Sequence, residues 1–193
     1  MLTDLPNLLT LSRIAAIPLL IACVAMRSPV GDLMAVLLFA AAGLTDWLDG
    51  HLARARRQQS DLGRMLDPIA DKLLVGATLM LLAGLGRLPD GALYPAIIIL
   101  LREILVSGLR EYLGSIQISL PVTQVAKWKT GFQMAALGTL LAGNDVGALL
   151  HVPLPVAGIG EAMLWVAALL TVITGWGYLQ AGLRHVQGAT SGH

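Results

Sequence analysis

Six long apolar runs divide this chain of 193 residues: Leu8 to Met26, Leu33 to Ala53, Met65 to Leu85, Leu93 to Leu113, Val122 to Ala142 and Ile159 to Leu183. Each is about 20 residues long, which is what a helix needs to cross a hydrocarbon layer roughly 30 Å thick. Lipid offers backbone groups no hydrogen-bond partner, so only helices and closed barrels can span it. A barrel strand would be a run of about ten residues with alternating character, so these runs select helices. The fold expected is an all-α integral membrane protein of six transmembrane helices. With 56% hydrophobic and 13% charged residues and a mean hydropathy of +0.74, no stretch suggests a separate soluble domain.

Clusters of Gly and Pro mark the connections: Pro29 and Gly31, Gly86 to Gly91, Gly114 to Pro121, and a longer loop from Gly143 to Gly158 with Pro153 and Pro155. No internal repeat is visible. Residues 1–193 read as one membrane domain, with 1–7 interfacial and a polar, loose tail at 185–193. The single cysteine, Cys23, excludes an internal disulfide, and a net charge of +1 gives no reason to expect nucleic acid. Glycines 76, 84, 131, 138, 175 and 177 read as close helix packing. Trp47, Trp128, Trp165 and Trp176 read as packing or interface anchors.

Orientation follows from the basic residues, which are in excess on cytoplasmic flanks. With the N-terminus inside, the outer loops hold only Arg27 and Arg87 of the 13 Lys and Arg residues. Arg54, Arg56, Arg57, Arg64, Lys72, Arg110, Lys127, Lys129 and Arg184 then fall toward the inner side, and Arg13 and Arg102 lie within spans. Both termini and the aspartate-bearing ends of the second and third runs are therefore expected on the cytoplasmic side of a multi-pass membrane protein.

Four aspartates break the apolar character of the second and third runs. A step of three or four residues returns to the same helical face, so Asp46, Asp49, Gly50 and Ala53 form one stripe, and Gly63, Asp67 and Asp71 another. An ionised carboxylate at bilayer depth costs about 2.5 to 3.5 kcal/mol on insertion scales, and four together repel one another. Hard divalent cations answer such a site, because Mg²⁺ is held by carboxylates and substrate phosphates, and two-metal sites serve phosphoryl transfer. Zinc fits poorly, since Cys23 lies elsewhere and His51 points off the stripe. The plainer alternative is that Arg54, Arg64 and Lys72 pair with the aspartates as buried ion pairs.

The spacing D-x2-D-G-x2-A-R-x8-G-x3-D-x3-D, eight specified residues over 26 positions, resembles the signature of the CDP-alcohol phosphotransferase family. That resemblance implies transfer of a phosphatidyl group from a CDP-linked lipid to an alcohol with release of CMP, on a six-helix membrane fold that dimerises. It implies two Mg²⁺ or Mn²⁺ ions. Asp46 and Asp67 would touch both, Asp49 would complete the first, and Asp71 would serve the second and act as base. Gly50, Ala53, Arg54, Ser60 and Gly63 would line the CDP-lipid pocket, and Asn7 and Thr10 join them from the first run. Glycine admits a nucleotide close to the backbone, and arginine's fork suits phosphate oxygens.

The segments around Asn7, Thr10 and Arg13, from Leu101 to Glu111, and from Val125 to Thr130 are similar to the bacterial members whose acceptor is sn-glycerol 3-phosphate. That likeness thins out in the sixth run. Glu103 and Arg110 lie seven apart on one face, and Lys127 can enter the same cavity, so an acceptor with its own phosphate is expected to meet Arg110, Lys127, Arg13 and Arg102. Arg102, Glu103, Arg110 and Glu111 could instead only neutralise one another between helices. Lys129 reads as a side chain snorkelling to the inner surface. Other acceptors, phosphatidylglycerol in a cardiolipin synthase or an inositol phosphate, are the alternative within the family. A small cation transporter is the distant one, and it would spread its acidic residues along the membrane depth.

Overall fold

The computed structural model describes the backbone of residues 5–56, 61–117 and 123–190, with side chains except at 5, 6, 47–56, 61, 62, 64, 181 and 184–190. Six helices account for most of it: α1 (Leu5–Ala25), α2 (Pro29–Arg56), α3 (Asp61–Gly84), α4 (Leu93–Ser115), α5 (Gln124–Leu149) and α6 (Val156–Thr190). No strand occurs among the described residues. Helix α6 runs through His185 to Thr190, into the stretch read from sequence as a tail.

Local chemistry explains where the helices start and stop. Ser28 caps α2, accepting from the Gly31 amide through Oγ at 3.1 Å and from the Asp32 amide through its carbonyl at 2.9 Å, with Pro29 in the first turn where its missing donor costs nothing. Thr123 caps α5 by accepting from the Ala126 amide. Gly143, at φ 59° and ψ −172°, breaks α5 in a conformation open almost only to glycine. Beyond that break Asn144 turns its Oδ1 to the Ala157 amide at 3.1 Å and so caps α6 from across the connection.

Helix α5 packs along α6 and α2, α1 along α2 and α3, and α4 along α6. The apolar core fills one half of this bundle. Leu20 and Val24, Phe39, Leu79 and Leu82, Ile99, Leu137 and Leu141, and Leu164 meet there. Polar side chains fill the other half: Asn7, Thr10, Arg13, Lys129 and Gln133 are buried, whereas Leu37 is 61% exposed, Met80 70% and Leu101 63%. Polar residues inside and large aliphatics outside are what a bundle surrounded by lipid presents. By length and composition three segments are suited to cross a membrane, Asn7–Ala25, Pro29–Asp46 and Val156–Gln180. Helices α3, α4 and α5 each carry several charged or amide side chains, which lowers their apolar character.

Two expectations change here. Open space surrounds Gly84, Gly131, Gly138 and Gly177, and only ordinary contact meets Gly76, while Gly175 does face a close neighbour. The tight helix approaches lie instead at Gly43, Gly160 and Gly182, where an added Cβ would stand 2.9, 2.8 and 2.8 Å from a neighbouring side chain. Glycine content alone does not say which glycines face a partner helix. Lys129 does not snorkel: its side chain is 6% exposed and its ammonium is bonded to Glu103. Trp128, Trp165 and Trp176 are exposed at the bundle surface, and the Trp47 side chain lies outside the described residues.

At the apolar end Asp32 accepts from Arg87 Nη1 at 2.5 Å, with the aspartate side chain 3% exposed. Among the described residues Arg27 and Arg87 are the basic ones at this end. Lys72, Arg110, Lys127 and Lys129 gather at the opposite one. The Arg54, Arg56, Arg64 and Arg184 side chains, and Arg57 entirely, lie outside the described residues.

Candidate active site

Because the chain reverses at each connection, the starts of α1, α3 and α5 share one end of the bundle with the ends of α2, α4 and α6. A cavity of about 700 Å³ opens there. Its lining carries Arg13, Lys72, Arg102, Arg110, Lys127 and Lys129 against Asp46, Asp71 and Glu103. That excess of cations favours an anionic occupant.

One wall is built by α1, α2 and α3. The Arg13 side chain, 1% exposed, sends Nη1 to Asp46 Oδ1 at 2.7 Å and to Asp71 Oδ1 at 2.5 Å, and Nη2 to Asp67 Oδ1 at 3.3 Å. Thr10, one turn earlier on the same face of α1, donates to Asp67 Oδ1 at 2.5 Å. The three carboxylates are each nearly half exposed, at 46%, 44% and 47%. Asp46 and Asp71 therefore present oxygen to the cavity in front of a buried guanidinium, with Asp67 beside them. Lys72 stands in the same lining, its ammonium donating to the Pro68 carbonyl at 2.9 Å.

The chemistry of this wall suits a divalent cation. Its donors are all carboxylate oxygen, from two helices, and three negative charges meet one guanidinium. A hard cation fits that donor set and that surplus of charge. Among the described residues no group of three or more acidic, His or Cys side chains is already closed to ligating distance; the Arg13 guanidinium stands between Asp46 and Asp71. The Asp49 side chain, on the same stripe, lies outside the described residues.

The other wall belongs to α4, α5 and α6. Glu103 accepts from Lys129 and from Arg102 Nη1, the latter at 3.3 Å. Arg102 Nη2 reaches the Thr174 hydroxyl at 3.0 Å. Arg110 and Lys127 are exposed and line the opening.

Of the residues singled out from sequence, Asp46, Asp71, Arg13, Arg102, Arg110 and Lys127 thus line one cavity. Asp67 adjoins it through its bond to Arg13 and Thr10 through its bond to Asp67, and Asn7 and Gly63 are buried. Ser60 lies outside the described residues, as do the side chains of Ala53 and Arg54, and Gly50 is described only as part of the α2 backbone. Arg13, expected to meet the acceptor's phosphate, is engaged with carboxylates. Sequence reasoning gave no weight to Tyr178 or Gln133, which also line the cavity. An ionisable residue inside an apolar run is a signal by itself, but a phenol or an amide is not.

The sequence profile described as CDP-alcohol phosphatidyltransferase matches residues 3–173. A protein of Rickettsia bellii called CDP-diacylglycerol–glycerol-3-phosphate 3-phosphatidyltransferase is 44% identical over 178 residues, covering 92% of this chain and 94% of the relative. One of the same name from Cereibacter sphaeroides is 36% identical over 215 residues, covering 95% and 97%. A cardiolipin synthase (CMP-forming) of Oryza sativa subsp. japonica is 41% identical over 182 residues, which is 89% of this chain and 55% of that protein.

Proposed function

This chain belongs to the CDP-alcohol phosphatidyltransferase family, and we propose that it transfers a phosphatidyl group from CDP-diacylglycerol to sn-glycerol 3-phosphate. The products are phosphatidylglycerol phosphate and CMP. The observation that carries this reading is one cavity with a carboxylate wall facing a cationic wall. A charged diphosphate donor and a phosphate-bearing acceptor need such a pair of surfaces.

Asp46, Asp49, Asp67 and Asp71 would hold two divalent cations, Mg²⁺ or Mn²⁺, which offset the charge that gathers on the diphosphate as it is cleaved. Arg110 and Lys127, with Arg102 behind them, bind the acceptor's phosphate and turn its 1-hydroxyl toward the donor. Asp71 takes the hydroxyl proton. The new bond joins that oxygen to the donor's β-phosphorus, and the bond to CMP breaks. Asn7, Thr10, Gly50, Ala53, Arg54, Ser60 and Gly63 border the CDP lipid. The acyl chains stay among the lipids while the acceptor enters from water.

All six helices cross a bacterial inner membrane in this reading, with the cavity and both termini in the cytoplasm and two copies forming a homodimer. The cardiolipin reading has a relative in its favour. A phosphate monoester carries more charge than the diester of phosphatidylglycerol, however, and six basic against three acidic lining residues suit the more anionic acceptor. Purified protein with CDP-diacylglycerol and a panel of alcohols tests the choice by CMP release. Release with sn-glycerol 3-phosphate is expected; release only with phosphatidylglycerol or inositol phosphate would move the protein within its family.

A further inference from the structure

Where α6 meets α4 at the cavity it presents a hydroxyl, a glycine and a phenol. Thr174, Gly175 and Tyr178 are all buried, and each touches Arg102. The Thr174 hydroxyl gives its one proton to the backbone of its own preceding turn, to the Leu170 carbonyl at 2.8 Å or the Thr171 carbonyl at 3.2 Å. A lone pair is left for Arg102 Nη2 at 3.0 Å. A Cβ on Gly175 would stand 3.2 Å from Arg102 Cγ, so glycine lets the arginine stem lie against α6. The Tyr178 ring centroid is 5.9 Å from Arg102 Cζ and 6.0 Å from Arg110 Cζ, within reach of cation–π attraction. One ring thus serves two guanidiniums about two turns apart on α4. Glu103 holds Arg102 from the other side.

The family profile stops at residue 173, just short of these three residues. We propose that Thr174, Gly175 and Tyr178 form a cradle that aims Arg102 and Arg110 at the acceptor's phosphate, so that α6 helps the cavity choose a small phosphomonoester over an uncharged alcohol. The inference rests on the acceptor reading above. A tetrahedral phosphate is gripped best by planar forks held in fixed directions. A free arginine on a flexible stem would lose that direction, and with it the discrimination.

CMP release under varied sn-glycerol 3-phosphate, varied CDP-diacylglycerol and competing glycerol tests it. Tyr178→Leu and Thr174→Val should raise KM for sn-glycerol 3-phosphate about three- to tenfold, keep KM for the lipid within about twofold, and lower the preference for sn-glycerol 3-phosphate over glycerol. Tyr178→Phe, which keeps the ring, and Thr174→Ser, which keeps the hydroxyl, should recover most of the acceptor KM. If Tyr178→Leu does not fold, the nearly isosteric Thr174→Val carries the test. Equal rises in both KM values, an unchanged acceptor KM, or no recovery in the conservative variants would overturn the cradle alone. An unaltered protein that releases no CMP with sn-glycerol 3-phosphate would overturn the activity assignment, and the cradle with it.

Discussion

Arg13 reaches three carboxylates from a side chain that is itself buried, so its removal leaves like charges facing one another with their counter-ion gone. The carboxylates left behind are nearly half exposed and partly screened by water, so the loss falls below the roughly 3 to 5 kcal/mol of a fully buried network. Arg13→Gln should therefore lower the unfolding temperature in EDTA, and added Mg²⁺ should restore more of it than in the unaltered protein. Scanning unfolding with and without Mg²⁺ checks this; an equal Mg²⁺ response in both proteins would remove Arg13 from the charge balance. The aspartates separate by role. Asp46→Asn and Asp67→Asn should abolish Mg²⁺-dependent CMP release while the protein still inserts. Asp71→Asn should stop the chemical step yet keep Mg²⁺-dependent binding of CDP-diacylglycerol, measured by calorimetry, because three carboxylates remain. Equal loss of binding in Asp67→Asn and Asp71→Asn would make Asp71 simply a further ligand.

Among elements, α1 to α3 hold the carboxylate wall and α4 to α6 the cationic one, and kinetics should separate the two. Arg110→Ala or Lys127→Ala removes a bond from a cation to phosphate worth about 1.5 to 3 kcal/mol, so KM for sn-glycerol 3-phosphate should rise roughly ten- to hundredfold. Arg54→Ala should instead weaken use of CDP-diacylglycerol, and matching kinetic patterns in the two sets would end this division. Far from the cavity, Gly143→Ala should cost about 1 to 3 kcal/mol of stability, read as a lower unfolding temperature with KM unchanged, because open space surrounds the site and only the backbone conformation is strained. The helices and the aspartate stripe were legible because periodicity and spacing are local properties. Which faces meet was not: Arg13 lies 33, 54 and 58 positions from its three partners. Lys129 looked like a surface lysine for the same reason, since nothing near it in sequence announces Glu103, 26 positions away. Tyr178 reads as one more large residue in an apolar run until α4 is placed beside it.

The whole molecule is divided along its axis, with an apolar core toward the Asp32–Arg87 pair and a charged cavity at the other end. Most of the described basic side chains lie at the cavity end, and basic flanks stay cytoplasmic. In the proposed reading a cavity open on that side would meet soluble glycerol phosphate in the cytoplasm, while the CDP lipid would enter sideways from the membrane. With Cys23 as the only cysteine, Cys23→Ala supplies a background in which single cysteines report sidedness. Asp90→Cys, exposed in the connection between α3 and α4, should react with a membrane-impermeant maleimide on intact bacterial cells. Ser115→Cys, exposed at the end of α4 beside the cavity, should react only after the membrane is opened. Both positions lie outside the cavity lining, so the labels compare sidedness without touching the chemistry. The reverse pattern would turn the basic end outward, against the charge bias and away from any cytoplasmic acceptor, and the proposed reaction would lose its route to substrate.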